Sequence, residues 1–188
     1  MDSDLTLDFI IIIVLIIANG LFSMTELAIV NAKKRKLEEL AEAGNERAKK
    51  AFELAEHPND MFSTIQIGIT LVGILTGLYS GATFSGPLEE ILTANIPSIE
   101  PYAASVSSFL IVAIITYLSL VIGELVPKRL ALNSPEGIAV VVAKPIYWLS
   151  VALKPIVSFL GISTEFLLKI LGVTVKEEAP VTESEINK

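Results

Sequence analysis

The segment from Tyr102 to Lys128 reads YAASVSSFLIVAIITYLSLVIGELVPK, an apolar run that ends in a glutamate, a proline and a lysine. Its length and composition are typical of a helix that spans a bilayer whose hydrocarbon core is about 30 Å thick. Glu124 lies near the end of this run. A carboxylate at membrane depth is costly, and it therefore marks a candidate functional site.

Pro127 adds a second oxygen to this site. It has no N–H, so the Gly123 carbonyl four residues earlier loses its helical hydrogen-bond donor. A carboxylate and a free carbonyl side by side favour a cation site. The alternative interpretation is a helix that ends at the membrane interface, with Glu124 among the headgroups and Pro127 as a stop signal.

The composition indicates a membrane protein without a basic face. The 188 residues are 52% hydrophobic, the mean hydropathy is +0.64, and the apolar residues lie in blocks. The formal net charge is −7. Nucleic acid is therefore not expected as a partner, because binding it requires a basic face.

Few residues suit a transition metal. The chain has no cysteine, and its single histidine, His57, precedes a proline in a polar loop, where a helix end is the expected role. Zinc and similar ions prefer thiolate or imidazole, whereas Mg²⁺, Ca²⁺ and Na⁺ prefer oxygen. The absence of a His-Glu-x-x-His pattern and of an aspartate pair in any span also argues against an intramembrane enzyme.

Three segments are predicted to span the membrane, at about 9–30, 61–82 and 102–126. With three spans, all fourteen Lys and Arg residues fall on one side. The positive-inside rule makes that side cytoplasmic. The expected localisation is the cell membrane, multi-pass, with the N-terminus outside and the C-terminus in the cytoplasm.

The segments on the predicted cytoplasmic side are expected to be helical. Residues 31–60 are rich in helix formers and indicate two short helices that break near Gly44-Asn45. Residues 137–172 are apolar but interrupted by charges and by two Lys-Pro-Ile sequences, which favours interfacial helices over the alternative of a fourth span. Residues 173–188 are polar and predict a linker to a further domain.

Polar side chains form a stripe on the first predicted span. Asn19, Ser23 and Glu26 lie on one helical face, beside Gly20, which allows a second helix to approach. The alternative is that Asn19 and Ser23 only make interhelical hydrogen bonds while Glu26 is interfacial.

The other two spans carry comparable stripes. Gln66 and Thr70 share a face of the second span, and Thr116 and Ser119 lead to Glu124 in the third. Since successive spans run in opposite directions, Glu26, Gln66 and Glu124 are expected at similar heights in the cytoplasmic third. Two carboxylates there would neutralise a divalent ion, and an all-oxygen shell suits Mg²⁺. Three glycines of the second span predict close packing against another helix, within or between subunits: Gly73, Gly77 and Gly81.

Three motifs in this order resemble the transmembrane domain of the CorC/CNNM, or cyclin M-like, magnesium transporter family: Ser23–Glu26 (SMTE), Thr64–Gly73 (TIQIGITLVG) and Gly123–Lys128 (GELVPK). The resemblance covers residues 7–172. It implies an all-α membrane domain over 1–172, with three transmembrane helices, a cytoplasmic juxtamembrane helical belt formed by 31–60 and 137–172, and a homodimer. It also implies Mg²⁺ transport by efflux, with coupling to inward Na⁺ left open, and a following pair of CBS domains that bind ATP.

The resemblance further implies a dehydrated Mg²⁺ held between the three helices on the cytoplasmic side, by Ser23, Glu26, Gln66, Thr70, Gly123 and Glu124. Ser23, Gly123 and Glu124 match the family's motif directly. Many members have a Gly-Asn where this chain reads Gly-Ile-Thr from Gly68, so Gln66 or Thr70 is expected to replace that asparagine. The alternative function is a membrane-anchored Mg²⁺ sensor that binds the ion without transporting it.

Overall fold

The computed structural model describes residues 2–56 and 58–172, with the side chains of 2–4 and 60 left aside. His57 and the predicted linker 173–188 lie outside the described residues. All regular structure in the described part is helical, as predicted. The helices are α1 (Asp2–Asn31), α2 (Lys34–Glu42), α3 (Glu46–Glu56), α4 (Pro58–Asn95), a 3₁₀ helix (Pro97–Tyr102), α5 (Ala103–Leu120), a π-helical turn (Val121–Leu125), α6 (Val126–Asn133) and α7 (Pro135–Ile170).

Among the described residues, four helical segments are long and apolar enough to cross a membrane: Leu5–Asn31, Met61–Asn95, Pro97–Asn133 and Pro135–Ile170. The first three contain the predicted spans. The fourth meets the same length and composition criteria, so the three-span count stays a prediction. Residues 137–172 also differ in detail from the expectation of several helices, since one helix, α7, runs through both Lys-Pro-Ile sequences. Apolar helices tolerate such prolines where neighbouring groups compensate for the lost hydrogen bonds.

The chain divides into two compact units, Met1–Val151 and Ala152–Lys188. In the second unit, the described part is the last portion of α7 and is largely exposed. The first unit contains the other helices and the start of α7. All of the contacts described below belong to the first unit.

The first unit packs its core around the end of α1 and the start of α4. Ala28, Leu37, Met61 and Ala143 are buried there to 0% exposure and belong to one cluster. This cluster brings α2, α3 and the start of α7 against the long helices. Towards the other ends of α1 and α4 fewer side chains are buried, so most of the apolar surface of these helices remains open.

The two short helices α2 and α3 confirm the prediction for residues 31–60. Gly44 has φ +91°, a conformation that glycine adopts without strain, and it separates the two helices. The Asn45 side-chain oxygen caps α3 by accepting hydrogen bonds from the N–H groups of Arg47 (3.0 Å) and Ala48 (3.1 Å). Turn and cap chemistry in the sequence therefore determined this local structure.

A cation–π contact joins α3 to α7. Lys50 Nζ lies 3.9 Å from the centre of the Tyr147 ring and 2.7 Å from Glu53 Oε2. The hydrogen bond to Glu53 raises the pKa of Lys50 above its ordinary value. The ammonium therefore stays charged at neutral pH and holds the two helices together.

The helix that contains Glu124 does not end at Pro127. α5 continues through the π-helical turn into α6, which extends to Asn133. In the turn, the Val126 N–H donates to the Val121 carbonyl. Proline removes a donor and crowds the carbonyl four residues before it, and a widened turn accommodates both effects. The interpretation of Pro127 as a stop signal is therefore wrong.

Candidate cation site

The Gly123 carbonyl is not free. Asn19 Nδ2 donates to it at 3.0 Å, across the contact between α1 and the π-helical turn. Proline at position 127 removed the helical donor, and the side chain of another helix replaces it. The expectation that this carbonyl stands open beside Glu124 is therefore wrong, because a carboxamide from α1 satisfies it.

Close backbone contact makes this hydrogen bond possible. A Cβ added at Gly20 would lie 2.9 Å from Pro127 Cγ and 3.2 Å from the Ile122 carbonyl oxygen. A Cβ added at Gly123 would lie 3.2 Å from the Ile16 carbonyl oxygen. Two glycines that face each other thus bring α1 against the turn. The prediction that Gly20 allows a helix to approach is confirmed.

The other half of the Asn19 amide group has no partner. Its Oδ1 is buried and accepts no hydrogen bond from any described residue. A buried polar atom of this kind is costly, and in native structures it calls for an explanation such as a ligand or a bound ion. The hydrogen bond from Nδ2 to Gly123 identifies which end of the amide is the acceptor.

Asn19 lines a cavity of about 200 Å³ together with Glu124. The cavity lies between α1, α4 and α5, and three hydroxyl side chains also line it: Thr76, Thr116 and Ser119. The Thr76 hydroxyl donates to the Val72 carbonyl at 2.7 Å, which leaves its oxygen able to accept or to coordinate. The cavity thus presents one carboxylate, one amide oxygen and several hydroxyl oxygens.

Glu124 holds a cation from its own chain. Its Oε1 accepts from Lys128 Nζ at 2.7 Å, and the side chains of Lys128 and Glu124 are 34% and 40% exposed. Residues four apart on a helix are neighbours, so the pairing follows from the sequence spacing. This pair leaves the Glu124 carboxylate neutralised in the structure.

Ser23 and Glu26 continue the polar stripe of α1 beyond Asn19, towards the C-terminal end of the helix. Ser23 is buried, at 2% exposure, and Glu26 is half-buried. The contact of Gly20 with Pro127 puts Glu124 near the height of Asn19. At 1.5 Å per residue, Glu26 is then about 10 Å farther along α1. The span lengths alone predicted that the two carboxylates lie at similar heights, and this prediction is wrong. The reason is that α6 continues the third helix beyond Pro127.

Gln66 and Thr70 are exposed and do not line the cavity. The helix α4 contributes Thr76 instead, together with two of the glycines that were expected to pack closely, Gly73 and Gly77. Apart from the adjoining residues and the nearby backbone of α4 itself, no described atom lies within 4 Å of a Cβ added at Gly73, Gly77 or Gly81. Within the described part of this chain, these glycines open a space rather than close a helix contact.

The register of α4 has a local cause. A Cβ added at Gly68 would lie 2.6 Å from the Phe22 ring, so the ring of α1 packs directly on the α4 backbone. Because α1 and α4 run in opposite directions and pack together at this point, Asn19 lies opposite the turn of α4 that follows Thr70. Thr76 therefore reaches the cavity, whereas the side chain of Gln66 does not.

The described residues contain no group of three or more Asp, Glu or His side chains that could hold a metal ion. The site among them is of a different kind, with a single carboxylate and neutral oxygens. Sequence reasoning placed Asn19 on the polar stripe but did not include it among the ligands. The signal was present, since Asn19 stands four residues before Ser23 and beside Gly20.

Comparison with known proteins agrees with the helical membrane architecture. The family model described as the cyclin M transmembrane N-terminal domain matches residues 10–188. The UPF0053 protein sll0260 of Synechocystis sp. is 50% identical over 184 residues, which is 98% of this chain and 41% of that protein. The UPF0053 protein YugS of Bacillus subtilis is 33% identical over 183 residues, which is 96% of this chain and 42% of that protein.

A relative with a functional name is more distant. The polyamine export protein of Escherichia coli K12 is 28% identical over 176 residues, which is 94% of this chain and 39% of that protein. The chain spans about two fifths of the length of these relatives. The family match covers nearly the whole chain, and its residues include both the cavity and the π-helical turn. The chain belongs to the cyclin M transmembrane N-terminal domain family.

Proposed function

We propose that this chain forms the membrane domain of a Mg²⁺ exporter, and that the cavity beside Glu124 binds the ion during transport. The observation that carries the proposal is the buried, unpaired Oδ1 of Asn19 in the same cavity as the Glu124 carboxylate. A cation there would satisfy both groups at once. An all-oxygen set of carboxylate, amide and hydroxyl groups suits Mg²⁺, which prefers hard oxygen ligands.

The remaining predicted ligands would contact the ion before or after it occupies the cavity. Ser23 and Glu26 lie on the same face of α1, towards the predicted cytoplasmic end. We infer that an ion from the cytoplasm meets Glu26 and Ser23 before it reaches Asn19 and Glu124. Gln66 and Thr70 would join the ion only after a rearrangement of α4, as alternating access requires.

Calorimetry with detergent-purified protein and MgCl₂ tests the site. Glu124→Gln keeps the shape of the side chain and removes its charge, and we expect it to lose Mg²⁺ binding. Glu89→Gln is the matched control, because Glu89 is an acid of α4 that does not line the cavity. Equal Mg²⁺ affinity in the wild type and Glu124→Gln would refute the proposed site.

Flux separates a transporter from a sensor. If the domain exports Mg²⁺, proteoliposomes should release or take up the ion, and Glu124→Ala should abolish the flux while the protein still folds. A sensor would bind Mg²⁺ in the calorimeter and show no flux in vesicles. The same vesicles, with and without a Na⁺ gradient, test whether inward Na⁺ drives the movement.

A polyamine is the second candidate substrate. The specific observation is that Glu124 already pairs with a primary ammonium, that of Lys128, at 2.7 Å. A relative at 28% identity also bears the name polyamine export protein. Competition decides between the two: spermidine that displaces Mg²⁺ from the wild type, and binds less tightly to Glu124→Gln, would favour a polyamine.

The whole protein is proposed to act in a lipid bilayer as a homodimer. The open face of Gly73, Gly77 and Gly81 supports a close helix contact between subunits, because small residues allow membrane helices to approach. A pair of CBS domains that binds ATP would follow the described residues and regulate export. No enzymatic activity is proposed.

A further inference from the structure

Lys128 forms an ion pair with Glu124, and the proposed Mg²⁺ site gives this ammonium no role. Its Nζ lies 2.7 Å from Glu124 Oε1, and it is the one ion-pair partner of Glu124 among the described residues. The ammonium therefore takes up one acceptor position of the carboxylate that lines the cavity, while Lys128 itself is not a lining residue. Both side chains are partly exposed, so either can move away from the other without unpacking a helix.

Two positive charges on one carboxylate repel each other, although the partial exposure of both side chains moderates the repulsion. A transported cation and the Lys128 ammonium therefore exclude each other at Glu124. When no cation is bound, a bare carboxylate at this depth would be costly, and the ammonium offsets its charge. The pair thus has a reason to form whenever the site contains no other cation.

We propose that the Lys128 ammonium is a tethered occupant of the cation position on Glu124, and that a transported cation binds there by displacing it. The inference rests on the proposed cation site, and it adds an explanation of what determines the affinity of that site for cations. The lysine lowers the apparent affinity for every cation by competition. It also leaves the empty site neutral, which eases the return of an unloaded transporter.

The geometry of the turn supports this role. Lys128 follows the π-helical turn and the proline that widens it, four residues after Glu124. The flexible four-carbon stem of lysine allows its compact charge to reach the carboxylate or to swing to solvent. Arg129, the next basic residue, is exposed and forms no ion pair among the described residues, so the effect is specific to position 128.

The test compares Mg²⁺ affinity in the full chain and two variants by calorimetry. Removing the competitor in Lys128→Met should raise the apparent Mg²⁺ affinity about two- to fivefold, from the typical strength of partly exposed pairs. Arg129→Met removes the same charge one position away and should leave the affinity within about twofold. A Lys128→Met affinity equal to or weaker than that of the wild type overturns the inference.

A second measurement does not depend on how well Lys128→Met folds. Lysines are reductively methylated with ¹³C, which keeps their charge, and the Lys128 resonance is assigned by its absence in Lys128→Arg. Saturating MgCl₂ should shift that resonance towards the position of a solvent-exposed methylated lysine. A resonance that does not move while Mg²⁺ binds overturns the inference.

The outcomes separate this inference from the proposed function. Mg²⁺ binding that depends on Glu124, with no change in Lys128→Met, overturns the inference and leaves the cation site standing. Binding that is detectable only in Lys128→Met supports both. No binding by the wild type or by Lys128→Met overturns both.

Discussion

Asn19 satisfies one half of its side chain and leaves the other half unpaired. Its Nδ2 holds the Gly123 carbonyl at 3.0 Å, and its Oδ1 is buried in the cavity without a partner. The first contact supports the turn, and the second is what the proposed ion would use. One residue therefore links the stability of the helix contact to the chemistry of the site.

The variant Asn19→Leu should weaken both the helix contact and the binding of Mg²⁺. The Gly123 carbonyl loses its donor, which lowers the free energy of unfolding by about 1 kcal/mol. Loss of Oδ1 should lower Mg²⁺ affinity about tenfold or more, the typical value of one strong contact to an ion. Thermal unfolding in detergent and calorimetry measure the two effects separately.

The control for Asn19→Leu is Asn31→Leu. The Asn31 side chain bonds only to its own helix, at the Leu27 carbonyl (2.8 Å), and is exposed. It should change neither Mg²⁺ affinity nor stability appreciably. Unaltered Mg²⁺ affinity in Asn19→Leu would remove Asn19 from the proposed site.

Gly20→Ala tests the close contact at the same scale. The new methyl group would meet Pro127 Cγ at 2.9 Å and the Ile122 carbonyl at 3.2 Å, so α1 or the turn must shift. We expect a loss of about 1–3 kcal/mol in the free energy of unfolding, as for overpacked sites. Gly161→Ala lies within α7, where no described atom outside the adjoining residues and the helix's own backbone lies within 4 Å of the new methyl group, and it should be neutral or slightly stabilising. Equal melting temperatures for the two variants would contradict the close packing.

At the scale of elements, the π-helical turn separates the third helix into two parts with different tasks. α5 lines the cavity with Thr116 and Ser119, whereas α6 packs along α1 and buries Ala131 in the core. The turn between them presents Glu124 to the cavity. Proline causes this arrangement, because it removes one donor and crowds the carbonyl that Asn19 then binds.

Pro127→Ala tests the turn. It restores an N–H at position 127, which can bond the Gly123 carbonyl within an ordinary α-helix and release Asn19 Nδ2. We expect Mg²⁺ affinity to fall several-fold, because both Asn19 and Glu124 change orientation, while helix content by circular dichroism stays the same or rises. Unchanged affinity would mean that the turn does not position the ligands.

At the scale of the whole molecule, the predicted membrane topology rests on the distribution of charge. All fourteen Lys and Arg residues fall on one side if the chain crosses three times, with the N-terminus outside. The helix α7 is long and apolar enough to cross as well. A fourth crossing would put its last residues on the opposite side from α2 and α3.

Single-cysteine labelling decides the topology, and the chain contains no native cysteine to interfere. A membrane-impermeant maleimide should react in intact cells with Leu5→Cys. Arg47→Cys and Leu171→Cys should react only after permeabilisation. Labelling of Leu171→Cys in intact cells would show that α7 is a fourth span and would reverse the predicted location of the C-terminus.

The sequence by itself determined the helical membrane class, the break at Gly44-Asn45, the approach at Gly20 and the position of Glu124 as a charge within an apolar run. Each of these follows from a local pattern: apolar length, turn chemistry, a missing Cβ, or a charge within an apolar run. The pairing of Glu124 with Lys128 was not predicted, although it too rests on a local relation, because residues four apart on a helix are neighbours. None of these features depends on how two distant segments meet.

Only the tertiary structure decided which oxygens share the cavity. The packing of Phe22 on Gly68 sets the register of α4 and brings in Thr76 rather than Gln66. The Asn19 amide donates a hydrogen bond to the Gly123 carbonyl, which the sequence predicted to be free. The same contact places Glu124 at a different height from Glu26 along α1. The physical reason is that the sequence of a helix determines which side chains lie on the same face. The height at which the faces of two helices meet depends on contacts between residues far apart in the chain.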